Sequence, residues 1–427
     1  MKAIIDCNNF YCSCERLFKP ALDNKPVVVL SNNDGCIISR SDEAKQLGVP
    51  MAGPYFQAKP LIQQHNIATF SSNYNLYGDL SWRVMETLRT ILGKDKVEVY
   101  SVDECFIDLQ ACNSNQLQQT ALELRAAVEQ WTGIKVSVGV APTKVLCKVA
   151  NRLAKKNKIK TNCVLVLDTP KKIMQALQHT PIDEVWGVGR QFAEKLKQQW
   201  GIYDALQLQH MSEAFGRNQL GGVVGARLIR ELKGISSKDM EEELLVKKMI
   251  ATTRMFGKPV SDIDYIKEAI ATYTARAAEK LRRQQGAAKI ISVFVVAKQQ
   301  SHTANFSHGA THSTYTTLPN ATSFTNELIK PAVALVDSLF TKGTVYKKAG
   351  VMLSGIVPDQ SIQGNLFLPE TKNCSRKLME MIDNINFSQR DDILKFAASG
   401  TKRNWKMRME MRSPRYSTRW DELYRVK

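Results

Sequence analysis

Tyr100-Ser101-Val102-Asp103-Glu104-Cys105-Phe106-Ile107-Asp108-Leu109 is the stretch that decides how this 427-residue chain is read. Apolar residues lead up to two adjacent carboxylates and lead away from them. Val97 to Tyr100 alternates as a strand, and Cys105-Phe106-Ile107 begins a second. Successive side chains on a regular strand point to opposite faces, so Asp103 and Glu104 share a site only if the chain turns between the two strands. A short turn puts both carboxylates at the tip of a hairpin. Close carboxylates raise each other's pKa unless a cation holds them. Magnesium, which takes one or two carboxylates together with substrate phosphates, removes that cost. Taken alone, Asp-Glu also reads as a solvated acidic turn.

A second acid shifts the balance. Met1-Lys2-Ala3-Ile4-Ile5 is a short apolar strand ending in Asp6, followed by Cys7-Asn8-Asn9-Phe10-Tyr11. Two buried strands that each deliver acids at one end suit a two-metal nucleotidyl-transfer site.

Lysine and arginine number 59 against 41 aspartate and glutamate, a formal net charge of +18. That excess points to a polyanion, either nucleic acid or an acidic membrane surface. No apolar run approaches the ~20 residues of a membrane span, and no secretory signal pattern opens the chain. Nine cysteines, an odd number spread over a long chain, do not make a disulfide framework and read as reduced cytosolic thiols. Cys7, Cys12, Cys14 and Cys36 match no common zinc spacing and read as small buried hydrophobes. His302, His308 and His312 sit in a Ser/Thr-rich stretch and read as loop histidines. The length exceeds what one core usually supports, so several domains are expected.

Along the chain, 26–39 reads as a hairpin around Ser31-Asn32-Asn33-Asp34-Gly35. Ser41 to Leu47 reads as a helix ended by Gly48, and 49–74 as irregular with two short strands. Helices are expected over Leu76–Leu92, ended by Gly93, and over Leu117–Trp131. After a strand at Val136–Val140, a helix from Pro142 turns Val145, Leu146, Val149, Ala150 and Leu153 inward. Residues 142–160 also carry seven basic residues and no acid, Lys144, Lys148 and Lys155 among them. Residues 170–233 are helical in pattern. Within them Gly187-Val188-Gly189 opens a helix at Arg190, as a helix-hairpin-helix does to offer N–H groups to a phosphate; a plain helix connection is the alternative. Residues 249–355 alternate strand and helix, and the helix from Asp264 to Gln285 carries Arg276, Lys280, Arg282 and Arg283. Gln363-Gly364-Asn365-Leu366-Phe367 is a short apolar pair in a polar tail, the kind of segment that hooks into a partner's groove. Residues 401–427 hold nine basic residues against three acidic, interleaved with Trp405, Tyr416, Trp420 and Tyr424. They read as a nucleic-acid or protein contact, or as a small folded cap.

Longer motifs identify a family. Ser31-Asn32-Asn33-Asp34-Gly35-Cys36, Phe70-Ser71-Ser72-Asn73-Tyr74, Asp183-Glu184-Val185-Trp186-Gly187-Val188-Gly189, Tyr273 through Leu281 and Trp405-Lys406-Met407-Arg408 resemble the Y-family translesion DNA polymerases, UmuC branch. The resemblance covers the whole chain. It implies an α+β multidomain right hand: palm 1–18 and 75–166, small fingers 19–74, thumb 167–233 with the helix-hairpin-helix, linker 234–243, little finger 244–355, and a UmuC-type C-terminal extension 356–427. It implies two magnesium ions, with manganese as a substitute, held by Asp6, Asp103, Glu104 and the backbone carbonyl of Cys7. Tyr11, with Phe10 beside it, matches the steric gate against a 2′-hydroxyl. Ser39, Arg40, Lys45 and Lys155 match or neighbour the triphosphate contacts. The family's common Tyr-Glu-Ala-Arg is Asp42-Glu43-Ala44-Lys45 here, and a lysine gives a point charge where arginine gives a bidentate fork.

Gly187, Gly189, Arg190, Arg276, Lys280, Arg282 and Arg283 are the expected DNA contacts, and Gln363, Leu366 and Phe367 the expected sliding-clamp hook. The implied reaction is error-prone, template-directed transfer of dNMP from dNTP to a primer 3′-hydroxyl, in SOS-type damage tolerance and mutagenesis. Implied partners are primer–template and damaged DNA, dNTP, a processed UmuD-like dimer, a RecA filament and the sliding clamp, with no membrane. The implied location is the cytoplasm, at the nucleoid during DNA damage. No exonuclease motif is evident, so no proofreading is expected. The alternative is a non-catalytic DNA-binding or regulatory subunit at stalled primer termini. A nucleotide cyclase also pairs acids but needs neither the +18 charge nor a helix-hairpin-helix.

Overall fold

The computed structural model describes residues 1–241, 246–298, 309–364, 374–389 and 392–424. Strand β1 (Lys2–Cys7) is buried along nearly its whole length and leads into helix α1 (Phe10–Leu17). Asn9, between them, is left-handed at φ 48°, a conformation asparagine tolerates. Strands β2 (Val27–Leu30) and β3 (Ile37–Arg40) pair as the expected hairpin. Helix α2 (Asp42–Gln46) is capped by the Ser41 hydroxyl, which accepts from the Ala44 N–H.

The segment 49–74 differs from its irregular reading. It contains a ten-residue helix, α3 (Tyr55–Gln64), and one strand, β4 (Ala68–Ser71), which lies parallel to β2. Pro60 inside α3 argues against a helix by sequence, and only Ala58 and Ile62 are buried, so the apolar stripe is thin.

Next come α4 (Tyr74–Leu92), β5 (Val97–Val99), β6 (Glu104–Asp108), α5 (Leu117–Thr132), β7 (Val136–Ala141), α6 (Lys144–Lys156), α7 (Lys158–Thr161) and β8 (Val164–Val166). The sheet order is β5-β6-β1-β7-β8. Alternation along β1 splits its side chains between two cores. Ala3 and Ile5 pack with Leu80 and Val84 of α4 and Leu124 of α5. Ile4 packs with Val145 and Val149 of α6 on the other side.

Helix α6 lies directly on β7. A Cβ on Gly139 would stand 2.3 Å from the Asn151 nitrogen and 2.4 Å from the Cys147 oxygen, both backbone atoms. Gly139→Ala is therefore expected to destabilise the chain by about 3 kcal/mol. A thermal melt reads this, and an unchanged midpoint would contradict the close α6–β7 contact.

Helices α8 (Pro170–Gln178), α9 (Arg190–Trp200), α10 (Ala205–Gln209), α11 (Glu213–Gln219) and α12 (Val223–Leu232) form the expected helical unit and share the α6 core. The following unit contains β9 (Ile250–Val260), α13 (Ile263–Arg283), β10 (Gly286–Ala297), β11 (Thr311–Thr322), α14 (Thr325–Leu339) and β12 (Tyr346–Pro358). Its antiparallel sheet runs β11-β10-β12-β9. Strand β11 was not expected, and His312 lies on it instead of in a loop. Its threonines favour strand, but it is a largely exposed edge with no apolar alternation to reveal it.

Helix α15 (Cys374–Ser388) docks on α13, and the tail beyond it is folded. Trp405 is buried in the β9–α13 core and donates to Glu268 at 3.2 Å. Ser71 N–H donates to the Met411 carbonyl at 3.1 Å. Tyr416 stacks on Phe18 at 4.8 Å. Ser413 donates to buried Glu15 at 2.9 Å. The tail thus straps the β9–β12 unit to α1 and to β4. Among the described residues no helix is long and apolar enough to cross a membrane.

Candidate active site

Strands β1 and β6 are antiparallel neighbours, and their register places Asp6 opposite Glu104. The chain turns between β5 and β6 as the sequence requires. The Tyr100 and Ser101 N–H groups both donate to the Glu104 carbonyl at 3.0 Å, and Cys7 N–H donates to the Asp103 carbonyl at 2.8 Å. All three acids therefore stand at one end of the sheet. The carboxyls of Asp6 and Glu104 hydrogen-bond to each other. Asp103 accepts from Ser101 Oγ at 2.7 Å, and the same hydroxyl lies 3.5 Å from Glu104. Ser101 thereby links the two acids of the tip. Among the described residues no three Asp, Glu, His or Cys side chains are arranged as they stand to hold an ion.

Helix α6 supplies the countercharge. Lys144, Lys148 and Lys155 fall four and seven residues apart, on one side of the helix. They pair with Glu98 (2.6 Å), Glu104 (2.6 Å) and Asp6 respectively. Lys148 also sits 4.9 Å from the Tyr100 ring and 5.5 Å from the Trp186 ring, so the helical unit touches the site through Trp186. Burial raises the Asp6 pKa, the Lys155 ammonium opposes this, and the hydrogen bond with Glu104 adds to the rise. Burial also works against the Glu104 charge, but the Asp6 bond and Lys148 outweigh it and hold this carboxyl below its usual range. The pair behaves as two carboxyls sharing a proton. Burial and the neighbouring Asp6 charge push the Cys7 thiol well above its ordinary value, leaving its backbone as the group suited to a hard cation. The cluster is made of hard oxygen donors whose charge two lysines now balance, which fits a divalent-ion site.

Beside the acids stands an aromatic wall. Tyr11 stacks on Tyr77 at 4.5 Å and 18°, and meets Tyr74 edge-on at 6.0 Å. Phe10 is buried in the core next to it. Burial, with Tyr74 and Asp103 nearby, pushes the Tyr11 hydroxyl up to about 12, so the ring is neutral at any ordinary pH.

The expected triphosphate residues divide. Lys45 donates to Asn9 at 2.5 Å and pairs with Asp42 at 2.9 Å. Ser39 is buried 3.3 Å from the Cys12 sulfur, and Arg40 donates to the Val49 carbonyl inside its own unit. Burial of Asp42 is outweighed by Lys158 and Lys45, and its carboxyl is held low. Asp42 thus sits between two lysines, Lys45 and Lys158.

The expected DNA contacts divide as well. Gly187 is left-handed at φ 101°, and Gly189 forms the start of α9. The Arg190 side chain is 91% exposed, pairing only with Glu194 along the helix at 2.9 Å among the described residues. On α13, Arg276 reaches Asp392 at 2.9 Å. Half-buried Lys280 has its pKa lowered by burial and by Arg254, Lys247 and Arg276. Arg282 is enclosed, while the Arg283 side chain stays 57% exposed. Arg282 grips Asp383 of α15 at 2.6 and 2.7 Å, and Arg283 pairs with Glu279 and lies over Phe387 at 5.3 Å. Gln363 is exposed; Leu366 and Phe367 lie outside the described residues.

Two site residues escaped the sequence reading: Ser101, and Lys148 as partner of Glu104. The four- and seven-residue spacing of the α6 lysines carried that signal, but not which acids they would meet.

The sequence profile of the impB/mucB/samB family matches residues 5–152, that of its C-terminal domain matches 247–366, and a domain of unknown function matches 376–426. The chain is 41% identical to protein UmuC of Salmonella typhimurium over the full length of both, and 36% identical to protein MucB of Escherichia coli over 99% of both. It is 27% identical to DNA polymerase IV 1 of Bacillus subtilis over 80% of this chain and 78% of that protein. In fold it resembles the Y-family DNA polymerase chimera Dbh-Dpo4(243-245)-Dbh, with TM-score 0.68 and 22% identity over 84% of this chain and 99% of that one. It also resembles DinB from Sulfolobus solfataricus, with TM-score 0.52 over 84% and 99%. The fold is that of a right-hand polymerase, and the relatives place the chain among DNA-directed DNA polymerases, which depend on divalent metal. The chain belongs to the impB/mucB/samB family, the UmuC branch of the Y-family translesion DNA polymerases.

Proposed function

We propose that this chain transfers dNMP from dNTP to a primer 3′-hydroxyl across damaged template, at a two-metal site formed by Asp6, Asp103, Glu104 and the Cys7 carbonyl. The observation that carries it is the facing pair Asp6–Glu104, with Asp103 at the same strand end and the Tyr11–Tyr77 wall alongside. Held by these residues, two magnesium ions, or manganese in their place, would supply a lowered pKa at the primer hydroxyl and charge for the triphosphate and leaving pyrophosphate.

The chain's own residues do the rest. Lys155 and Lys45 place positive charge beside the acids, where the triphosphate's negative charge develops. The Tyr11 ring leaves no room for a 2′-hydroxyl. The start of α9 offers N–H groups at Gly187–Gly189, with Arg190, to a DNA phosphate.

We assign the domains by the boundaries the resemblance implies: palm 1–18 and 75–166, fingers 19–74, thumb 167–233, linker 234–243, little finger 244–355 and extension 356–427. A small-fingered site makes few contacts with the nascent pair, which supports tolerance of distorted templates. The resemblance to the UmuC branch supports a role in SOS-type mutagenesis, with a processed UmuD-like dimer, a RecA filament and a sliding clamp as partners.

Single-nucleotide incorporation on an undamaged primed template tests the reading. Chelation by EDTA is expected to stop incorporation and magnesium to restore it. A chain that binds the primer terminus but incorporates nothing with magnesium or manganese would be a binding module instead.

A further inference from the structure

Beside the candidate active site, a cleft of about 480 Å³ opens between three parts of the chain. One wall is Ser72 to Asn75 at the start of α4. The second is β9 with α13, and the third is the extension between Asp392 and Arg412. Its charge is lopsided. Asp392, the one acid in the lining, is shared by Arg276 at 2.9 Å and Arg403 at 3.1 Å. Arg254, Lys395, Lys402 and Lys406 are exposed and make no ion pair among the described residues. Two hydroxyls in the lining, Ser72 Oγ and Thr252 Oγ1, belong to residues only 1% and 2% exposed and find no hydrogen-bond partner within the chain. Buried hydroxyls left so are uncommon, and they stand on facing walls.

The cleft also has stacking surfaces. Met407 and Met409 line the extension side, and Tyr74 lines the inner end. Tyr74 is half exposed and stands edge-on to Tyr11 at 6.0 Å, so the cleft begins one ring away from the wall of the nucleotide site. The tail is fixed in place by the bonds from Asn73 to Ser413 (2.9 Å) and from Trp405 to Glu268 (3.2 Å). The extension is therefore a built wall of the cleft.

We propose that this cleft grips the single-stranded template arriving ahead of the pairing position, with the C-terminal extension supplying most of the grip. Spaced cations along a groove take successive phosphates, and Tyr74 with the two methionines offers faces to unpaired bases. An acidic peptide would use the cations but not the stacking faces, and would have no reason to lie one ring from Tyr11. The identity of the strand rests on the polymerase reading; the existence of a single-strand site does not.

The test is fluorescence anisotropy of full-length protein on primer–templates whose 5′ template overhang grows from none to about eight nucleotides. Wild type is compared with Lys395→Glu/Lys402→Glu/Lys406→Glu and with the milder Lys395→Gln/Lys402→Gln/Lys406→Gln. Thermal melts check that both variants fold. The affinity of wild type is expected to rise about tenfold with overhang length. The Glu variant is expected to lose that rise, keep its affinity for overhang-free substrate, and show a salt slope lower by about 2 on long overhangs. The Gln variant should fall between. An equal rise in wild type and Glu variant, or no rise in wild type, overturns the proposal. So does a deca-glutamate peptide that binds wild type but not the Glu variant while overhang length has no effect, which would give the cleft to an acidic protein partner. Binding is read without catalysis, so failure here leaves the polymerase reading standing.

Discussion

Asp103→Ala is expected to cut nucleotide incorporation by at least about a thousandfold, roughly 4 kcal/mol of transition-state stabilisation, while primer–template affinity stays within about threefold. Asp103 is the cleanest of the three acids to remove. Its side chain accepts one bond, from Ser101, and its structural work is done by a backbone carbonyl that holds the Cys7 N–H at 2.8 Å. The substitution keeps that carbonyl. Removing Glu104 would strand Lys148, and removing Asp6 would strand Lys155, so either loss would mix a stability cost with the chemical one. DNA contacts expected on α9 and α13 lie on other units and are untouched. Pre-steady-state incorporation with magnesium, beside anisotropy on the same substrate, reads both quantities. Incorporation within tenfold of wild type would remove Asp103 from the metal site.

Tyr11→Ala is expected to lower discrimination against ribonucleotides by about a hundredfold, the size a hydroxyl fitted against a hydrophobic surface can command. The wall is held from behind. Tyr77, on which Tyr11 stacks, donates to buried Glu15 at 2.7 Å, and Glu15 also accepts from Ser413 of the tail. A ring so backed cannot tip away to admit a 2′-hydroxyl. Tyr11→Phe is expected to keep the discrimination, because the ring and not the neutral phenol does the excluding. The measurement is the ratio of kcat/KM for dCTP and CTP opposite guanine. An unchanged ratio in Tyr11→Ala would place the gate elsewhere.

Local chemistry made much of this legible in the sequence. The Asp103-Glu104 tip announces itself because apolar residues flank it, those of β6 buried, and Asp6 because an apolar run ends there. Helix α3 was hidden by Pro60, and β11 by polar residues on an exposed edge. Long-range partners were hidden for a different reason. Nothing near Trp405 says that its ring enters a core against Glu268, 137 residues earlier, or that Ser413 reaches Glu15, 398 residues away. Arg282 and Arg283 sit in a basic helix turn that reads as a DNA face, yet α15, about a hundred residues on, takes up Arg282 through Asp383 and leaves Arg283 exposed beside Phe387. Ser39 and Arg40 follow the same logic: polar residues at a strand end can point to a ligand or to their own fold, and the choice is made by packing that sequence alone does not show.

The measurement closest to the central claim is primer extension across a single abasic site with magnesium and dNTPs. The chain is assayed alone and with a processed UmuD-like dimer and RecA filament, each beside Asp103→Ala. Products longer than the lesion position, present with wild type and absent with Asp103→Ala, are the expected result, strongest with the partners present. Tight binding of the primer terminus with no extension under any condition would contradict the account and leave a protein that occupies stalled ends without copying them.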